Sequence, residues 1–225
     1  LDEWSYTPEE AIALQKKLAG QIRMQPLPDR FEILGSADNS YIPAIDKTVA
    51  VVLTFKWPEL ELLETSYEVA PTRFPYIPGL LSFREVPPLI EAYRKLQRKP
   101  DVFLCDGQGI AHPRKIGLAS HLGLSLQIPA VGCAKTRLCG KHEPLDLQRG
   151  NYTPLRLRKE VVGYVYCTRN GVKPVYISPG HLADLESSRE LVERCLGRYR
   201  IPEPLRQAHN YATKIRQKLA GSAGE

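Results

Sequence analysis

Three carboxylates, Asp38, Glu85 and Asp106, stand at positions where an acid needs a reason. Asp106 ends an apolar run, Val102 to Cys105, that reads as a short buried strand. Ligands of α/β sheets sit beyond the carboxyl ends of such strands, so Asp106 is placed where an ion or substrate would bind. Gly107 and Gly109 beside it would let a phosphate or polymer approach the backbone. The plainer alternative is an Asp-Gly turn and nothing more. Asp38 falls inside a strand-like run, where a carboxylate is costly unless paired or bound to metal. Glu85 lies in or near the first turn of a helix, where the helix dipole alone could account for it. Acids drawn from separate elements to one point are what phosphodiester hydrolysis with two divalent ions requires, the ions roughly 3.5–4 Å apart. Magnesium prefers such a partial set of carboxylates, completed by water and phosphate oxygens.

Other residues could serve the same chemistry. His181, in Ser-Pro-Gly-His just before a helix, could bind metal or handle a proton, or be a surface residue at a helix start. Lys135, after Gly132-Cys133-Ala134, could meet a scissile phosphate or be one more basic residue. The segment Phe74-Pro75-Tyr76-Ile77-Pro78-Gly79-Leu80-Leu81 is stiffened by prolines and presents Tyr76 from a loop. Such a loop can wedge between stacked bases, and an expelled base is then held in a pocket. An apolar hinge packed on the core is the alternative.

The elements that must position these groups are legible as patterns. Thr7-Pro8-Glu9-Glu10 opens a helix with an apolar stripe at Ala11, Leu14, Leu18 and Ile22, ended by Pro26 and Pro28. Runs 32–41, 48–57 and 60–69 predict an antiparallel meander. A helix entered through Pro87-Pro88 covers Leu89 to Leu96, then come strand 102–105, a helix over 115–124 and a short strand over 128–131. After a basic, loop-rich interval, runs 161–168 and 172–178 form a hairpin around Asn170-Gly171. Helices over 183–196 and 202–219 close the chain. This is the order of an α/β fold with a ribonuclease-H-like mixed sheet, three antiparallel strands followed by parallel ones, flanked by helices. One domain spans 1–225, with 219–225 expected as a frayed tail.

Composition narrows the partners. The 225 residues carry a net charge of +6, and the stretch from Lys135 to Lys173 alone contributes nine Lys/Arg against three acids. A basic strip of that kind suits a polyanion. No apolar run approaches the length of a membrane span, and the acidic Leu1-Asp2-Glu3 start is unlike a signal segment. The five scattered cysteines match neither a zinc hook nor a disulfide framework. A reducing cytoplasm is the expected location.

Taken together, Phe74–Leu81, Phe83-Arg84-Glu85, Asp106-Gly107-Gln108-Gly109 with His112-Pro113-Arg114, Ala119-Ser120-His121, Gly132-Cys133-Ala134-Lys135, Ser178-Pro179-Gly180-His181 and Arg200-Ile201-Pro202-Glu203-Pro204 resemble the endonuclease V family of deoxyinosine-directed repair nucleases. The resemblance covers nearly the whole chain. It is loosest at Gly35–Tyr41, which keeps the aspartate and differs around it. It implies a ribonuclease-H-like fold and Mg²⁺-dependent nicking of DNA, with Mn²⁺ as substitute, at the second phosphodiester bond 3′ of a deaminated purine. The products would carry 3′-hydroxyl and 5′-phosphate. By motif, Asp38 and Asp106 match metal ligands, Glu85 the third acidic member and His181 the active-site histidine. Tyr76 matches the wedge, and Pro78, Gly79, Leu81 and Gly107 the wall of the hypoxanthine pocket. His112 and Lys135 match positions that orient or neutralise the phosphate. Two other readings remain: a non-catalytic inosine-binding module, against which the intact acidic set argues, and an inosine-directed ribonuclease. A monomer would suffice for any of them.

Overall fold

The computed structural model describes residues 4–222. The acidic Leu1-Asp2-Glu3 start and residues 223–225 of the expected tail lie outside them. β1 (Ile33–Ile42), β2 (Lys47–Lys56) and β3 (Glu61–Pro71) form the expected antiparallel meander. β4 (Val102–Cys105) and β5 (Ala130–Ala134) continue the sheet parallel to β1. β6 (Tyr152–Leu157), β7 (Glu160–Tyr166) and β8 (Val175–Pro179) return antiparallel, giving the order β3-β2-β1-β4-β5-β8-β7-β6. β6 replaces part of the interval expected as loop. Its alternation of exposed and buried residues (Tyr152, Thr153, Pro154, Leu155, Arg156) is masked by a proline and an arginine.

Both faces of the central strands are buried, which their unbroken apolar runs require. On one face Leu34, Val51, Leu53 and Leu104 pack with α4 (Leu185–Arg194) and α5 (Glu203–Ser222), the latter through Leu205, Ala208 and Ala212. On the other, Ala37, Val52, Phe103 and Cys105 pack under α2 (Ser82–Lys95) and α3 (Leu118–Leu126). α2 starts before the expected proline entry and carries Pro87 and Pro88 in its second turn. Each proline removes an internal helix bond, and burial of Phe83, Val86 and Leu89 offsets that loss. α3 and β5 begin two to three residues later than expected. α5 continues through Ser222, so residues 219–222 are helical rather than frayed.

α1 (Pro8–Ala19) opens with a reciprocal capping box between Thr7 and Glu10. It stops at Ala19, short of Ile22, where Gly20 offers the poorest helix propensity after proline. Its buried positions are Ala11 and, unexpectedly, Gln15. All five cysteines are free thiols, and no described helix is long and apolar enough to cross a membrane.

His121 of α3 is wedged between the rings of Trp4 and Phe83, with centroids 5.4 and 5.2 Å away, and its Nδ1 lies 3.0 Å from Ser82 Oγ. Burial lowers its pKa to about 4. The unfolded imidazole takes up a proton near pH 6.5, the folded one only near pH 4, so acidification across that window drains stability. Thermal unfolding followed from pH 7.5 to 4.5 should therefore show a loss for the native protein that is smaller for His121→Gln. The difference between them is up to about 3 kcal/mol. Identical pH slopes would contradict a neutral buried imidazole.

Candidate active site

The register of β1 on β4 builds the site. Ala37 pairs with Cys105, and Asp106 N donates to Ala37 O at 3.1 Å. Asp38 and Asp106 therefore emerge side by side, where β4 has ended and β1 runs on paired only with β2. α5, packed across β1, delivers His209, whose Nδ1 lies 3.0 Å from Asp38 Oδ2. Ligand atoms of Asp38, Asp106 and His209 all lie within 4.8 Å of one another. Glu85, in the first turn of α2, stands outside that triad but feels both carboxylates.

Electrostatics marks these acids as a set. Burial, then the negative charge of Asp106, pushes Asp38 up to about 6 against the pull of Lys135 and His209. Loss of water around its carboxyl, then the charges of Asp38 and Asp106, pushes Glu85 up to about 8. Lys135, following β5, makes an ion pair with Asp106. The oxygen donors and their mutual repulsion fit a hard divalent cation, whose charge would offset what burial and crowding cost them.

His181 does not join this group. β8 runs antiparallel to β5, so the chain leaves it at the start of β5, where Ala130 N donates to His181 O at 2.9 Å. Lys135 lies past the other end of β5, and Asp106 follows Cys105, which pairs with Gly132, so the two stand roughly 10–16 Å along the strands from that point. The His181 ring is buried, accepts from Arg23 N at 3.4 Å, and has its pKa lowered by burial. His209 stands in the place expected of His181, beside Asp38. No motif flags His209: it follows buried Ala208 on a helix flank, and only packing of α5 on β1 brings it to Asp38.

Beside the acids opens a cavity of about 340 Å³. Tyr76, Pro78, Gly79, Leu81 and Gly107 line it, together with Glu85, Asp106, His112 and Lys135. All five expected pocket residues thus share one wall system with two of the acids. A larger cleft of about 660 Å³ over α2 contains none of the site carboxylates. Tyr76 is 69% exposed at the cavity lip.

The loop behind Tyr76 is held by one carbonyl. Gly79 O accepts from Gln15 Nε2 at 3.0 Å, His112 Nε2 at 2.9 Å and Arg114 Nη2 at 2.7 Å. Arg114 also donates to Gln15 Oε1, which explains a fully buried glutamine on α1. Gly79 adopts φ +81°, open to glycine at little cost. With Nε2 donating to Gly79 and Nδ1 accepting from Arg114 N at 3.1 Å, both His112 nitrogens are engaged. Burial depresses its pKa to about 4. His112 is thus a neutral latch on the pocket loop, in place of the phosphate contact expected of it.

Gly109 serves a different purpose from the expected ligand approach. A Cβ there would come within 2.0 Å of Pro179 O, so its bareness lets the Asp-Gly-Gln-Gly turn lie on β8. Gly107 does line the cavity.

Replacing Glu85 by glutamine should stabilise the metal-free protein, because a neutral isostere removes a carboxylate that burial and two like charges disfavour. The gain, on the order of 1–3 kcal/mol, should be full above pH 8 and shrink as the pH falls from 8 towards 4.5, where the unfolded carboxyl also takes up its proton. Added Mg²⁺ should raise the melting temperature of the native protein more than that of Glu85→Gln. A variant less stable at every pH and equally responsive to Mg²⁺ would contradict this electrostatic account.

Comparison with known proteins agrees with this geometry. The Endonuclease V family profile matches residues 16–210. Endonuclease V of Gloeobacter violaceus is 46% identical over 220 residues, covering 96% of this chain and 89% of its own. The crystal structure of endonuclease V from Streptomyces avermitilis superposes with a TM-score of 0.92 at 34% identity, covering 97% of each chain. Endonuclease V of Ciona intestinalis, in complex with a 24mer DNA containing an inosine followed by a ribo-adenosine, gives 0.81 at 26% identity over 94% of this chain and 98% of its own. With carboxylates from separate elements gathered beside a pocket, and the family pattern running along most of its length, the chain belongs to the endonuclease V family.

Proposed function

We propose that this protein is a DNA repair endonuclease that recognises deoxyinosine and hydrolyses the second phosphodiester bond 3′ to it, leaving 3′-hydroxyl and 5′-phosphate. The observation that supports this reading best is the convergence of Asp38, Glu85 and Asp106 beside the cavity behind Tyr76. A strand whose base enters the cavity must pass its backbone over those acids. Family membership and the inosine-bearing DNA in the Ciona intestinalis complex support the same substrate class.

Asp38, Asp106 and Glu85 would hold Mg²⁺, or Mn²⁺ in its place. A divalent cation there would supply charge neutralisation for the phosphodiester and a more acidic water. The remaining steps fall to the chain. Tyr76, exposed on a loop stiffened by Pro75 and Pro78, fills the gap left by the extruded base. Gly79, Leu81 and Gly107 present backbone to that base, and the latch of Gln15, His112 and Arg114 keeps Gly79 from shifting. Lys135, held at Asp106, places a positive charge beside the backbone to be cut. His209 holds the Asp38 carboxylate through Nδ1.

A second reading, cleavage next to inosine in RNA, is favoured by the ribo-adenosine following inosine in the Ciona intestinalis complex. A ribose placed directly 3′ of the lesion separates the two, since a site that reads the 2′-hydroxyl turns over faster with it.

The direct experiment is strand cleavage on end-labelled duplex containing one deoxyinosine, with and without Mg²⁺. A single Mg²⁺-dependent nick at the second bond 3′ of the lesion is expected. Asp106→Ala should lower the rate by about 10²–10³-fold or more, as loss of a charge-stabilising group does, while inosine-DNA binding largely survives. Cleavage persisting in Asp106→Ala, or a nick elsewhere, would refute the assignment.

A further inference from the structure

Outside the carboxylate site, one surface carries cations with no acid opposite them. The chain leaves the cavity wall at Arg137 and Leu138 and turns through Gly140, φ +82°. It then forms an isolated antiparallel bridge, Lys141 to Arg156 of β6, closed by N→O bonds of 2.8 Å in both directions. A groove of about 700 Å³ runs along this bridge, with Lys141, Arg156 and Arg158 in its lining. All three are exposed. Among the described residues, none of them has a carboxylate within 4.0 Å. Glu143 is the carboxylate in the groove, and Glu160 at the nearby β6–β7 turn is taken by Lys115. Arg94, Arg189 and Arg206, on three helices, each lie against a glutamate, whereas these three groove cations lie within reach of none.

Three exposed cations, Arg156 on the edge strand β6, Lys141 on the segment bridged to it and Arg158 in the turn that follows, suit an extended polyanion better than a small anion. The chain also links the two, since Arg137 and Leu138 line the cavity and Lys141, three residues on, lines the groove. We propose that this groove is a backbone channel, in which Lys141, Arg156 and Arg158 neutralise phosphates of the nucleic acid beyond the extruded base. The proposal rests on the nuclease reading above and extends the substrate contact past the catalytic pocket. It also makes substrate length a determinant of affinity.

The test compares the native chain with Lys141→Gln/Arg156→Gln/Arg158→Gln, binding inosine-containing duplexes extended stepwise on the 5′ or 3′ side of the lesion. Three lost phosphate contacts should make the slope of log affinity against log salt shallower by about 2.7. Between 50 and 200 mM salt the native protein should then lose about 40-fold more affinity than the variant. The gain in affinity from extending the duplex on one side should also shrink in the variant. The charge-keeping variant Arg156→Lys/Arg158→Lys should retain the native slope. An unchanged slope and length dependence in the triple variant, or a collapsed slope in the lysine variant at an unaltered melting temperature, would overturn the proposal. Failure of the nuclease reading is visible separately, as absence of nicking by the native protein, while the salt slope still reports on the groove.

Discussion

Two carboxylates cannot share a few ångströms of partly dry space without cost, and the backbone pairing of β1 with β4 imposes that proximity here. Ala37 sits opposite Cys105, so the next residue on each strand is an aspartate. Ligand atoms of Asp38 and Asp106 lie within 4.8 Å. At an effective dielectric constant near 20, two full charges at that distance repel by on the order of 3 kcal/mol. Against a typical net stability of about 5–15 kcal/mol, that is a large local penalty. The fold tempers it without removing it: Lys135 pairs with Asp106, His209 sits on Asp38, and Glu85 tends to keep its proton. Unneutralised acidity at one sheet edge is the property from which cation affinity and phosphodiester chemistry follow.

The remainder of the architecture aims that acidity. β1 extends past the end of β4, so Asp38 lies within a strand while Asp106 begins a turn, and both are reached from the same side. α2 enters directly from the Tyr76 loop, which ties the position of Glu85 to the shape of the cavity. α1 lies far from the acids in sequence, yet its Gln15 reaches the pocket loop through the Gly79 carbonyl. Three donors on one oxygen form a stiff joint, because moving the loop would strand a buried glutamine and a neutral histidine together. The same joint explains why a residue as polar as Gln15 stands on the buried face of a helix.

Much of this was legible in the residues. Apolar runs located β1 to β4 closely, and strand-end reasoning singled out Asp106. The cost of a carboxylate inside a strand singled out Asp38. The proline-stiffened loop announced an exposed aromatic. What could not be read was whatever depends on the direction in which β5 and β8 meet. Because they are antiparallel, His181 lands at the wrong end of the sheet, although its Ser-Pro-Gly-His setting is more conspicuous than that of His209. His112 was matched to a phosphate position by motif alone, and only the tertiary contact with Gly79 shows both its nitrogens engaged. β6 escaped because its proline and basic residues hide a half-buried alternation, and its pairing with β7 is a long-range matter.

Paramagnetic broadening of backbone amides by substoichiometric Mn²⁺ tests the central claim most directly, because it reports where a cation settles without requiring turnover. Signals of residues 37–39, 84–86, 105–107 and 208–210 should broaden first and together, while those of 180–182, at the far end of β5, broaden far less at the same Mn²⁺ level. Broadening centred on His181, or spread without focus over the surface acids, would contradict a cation site made by the pairing of β1 with β4.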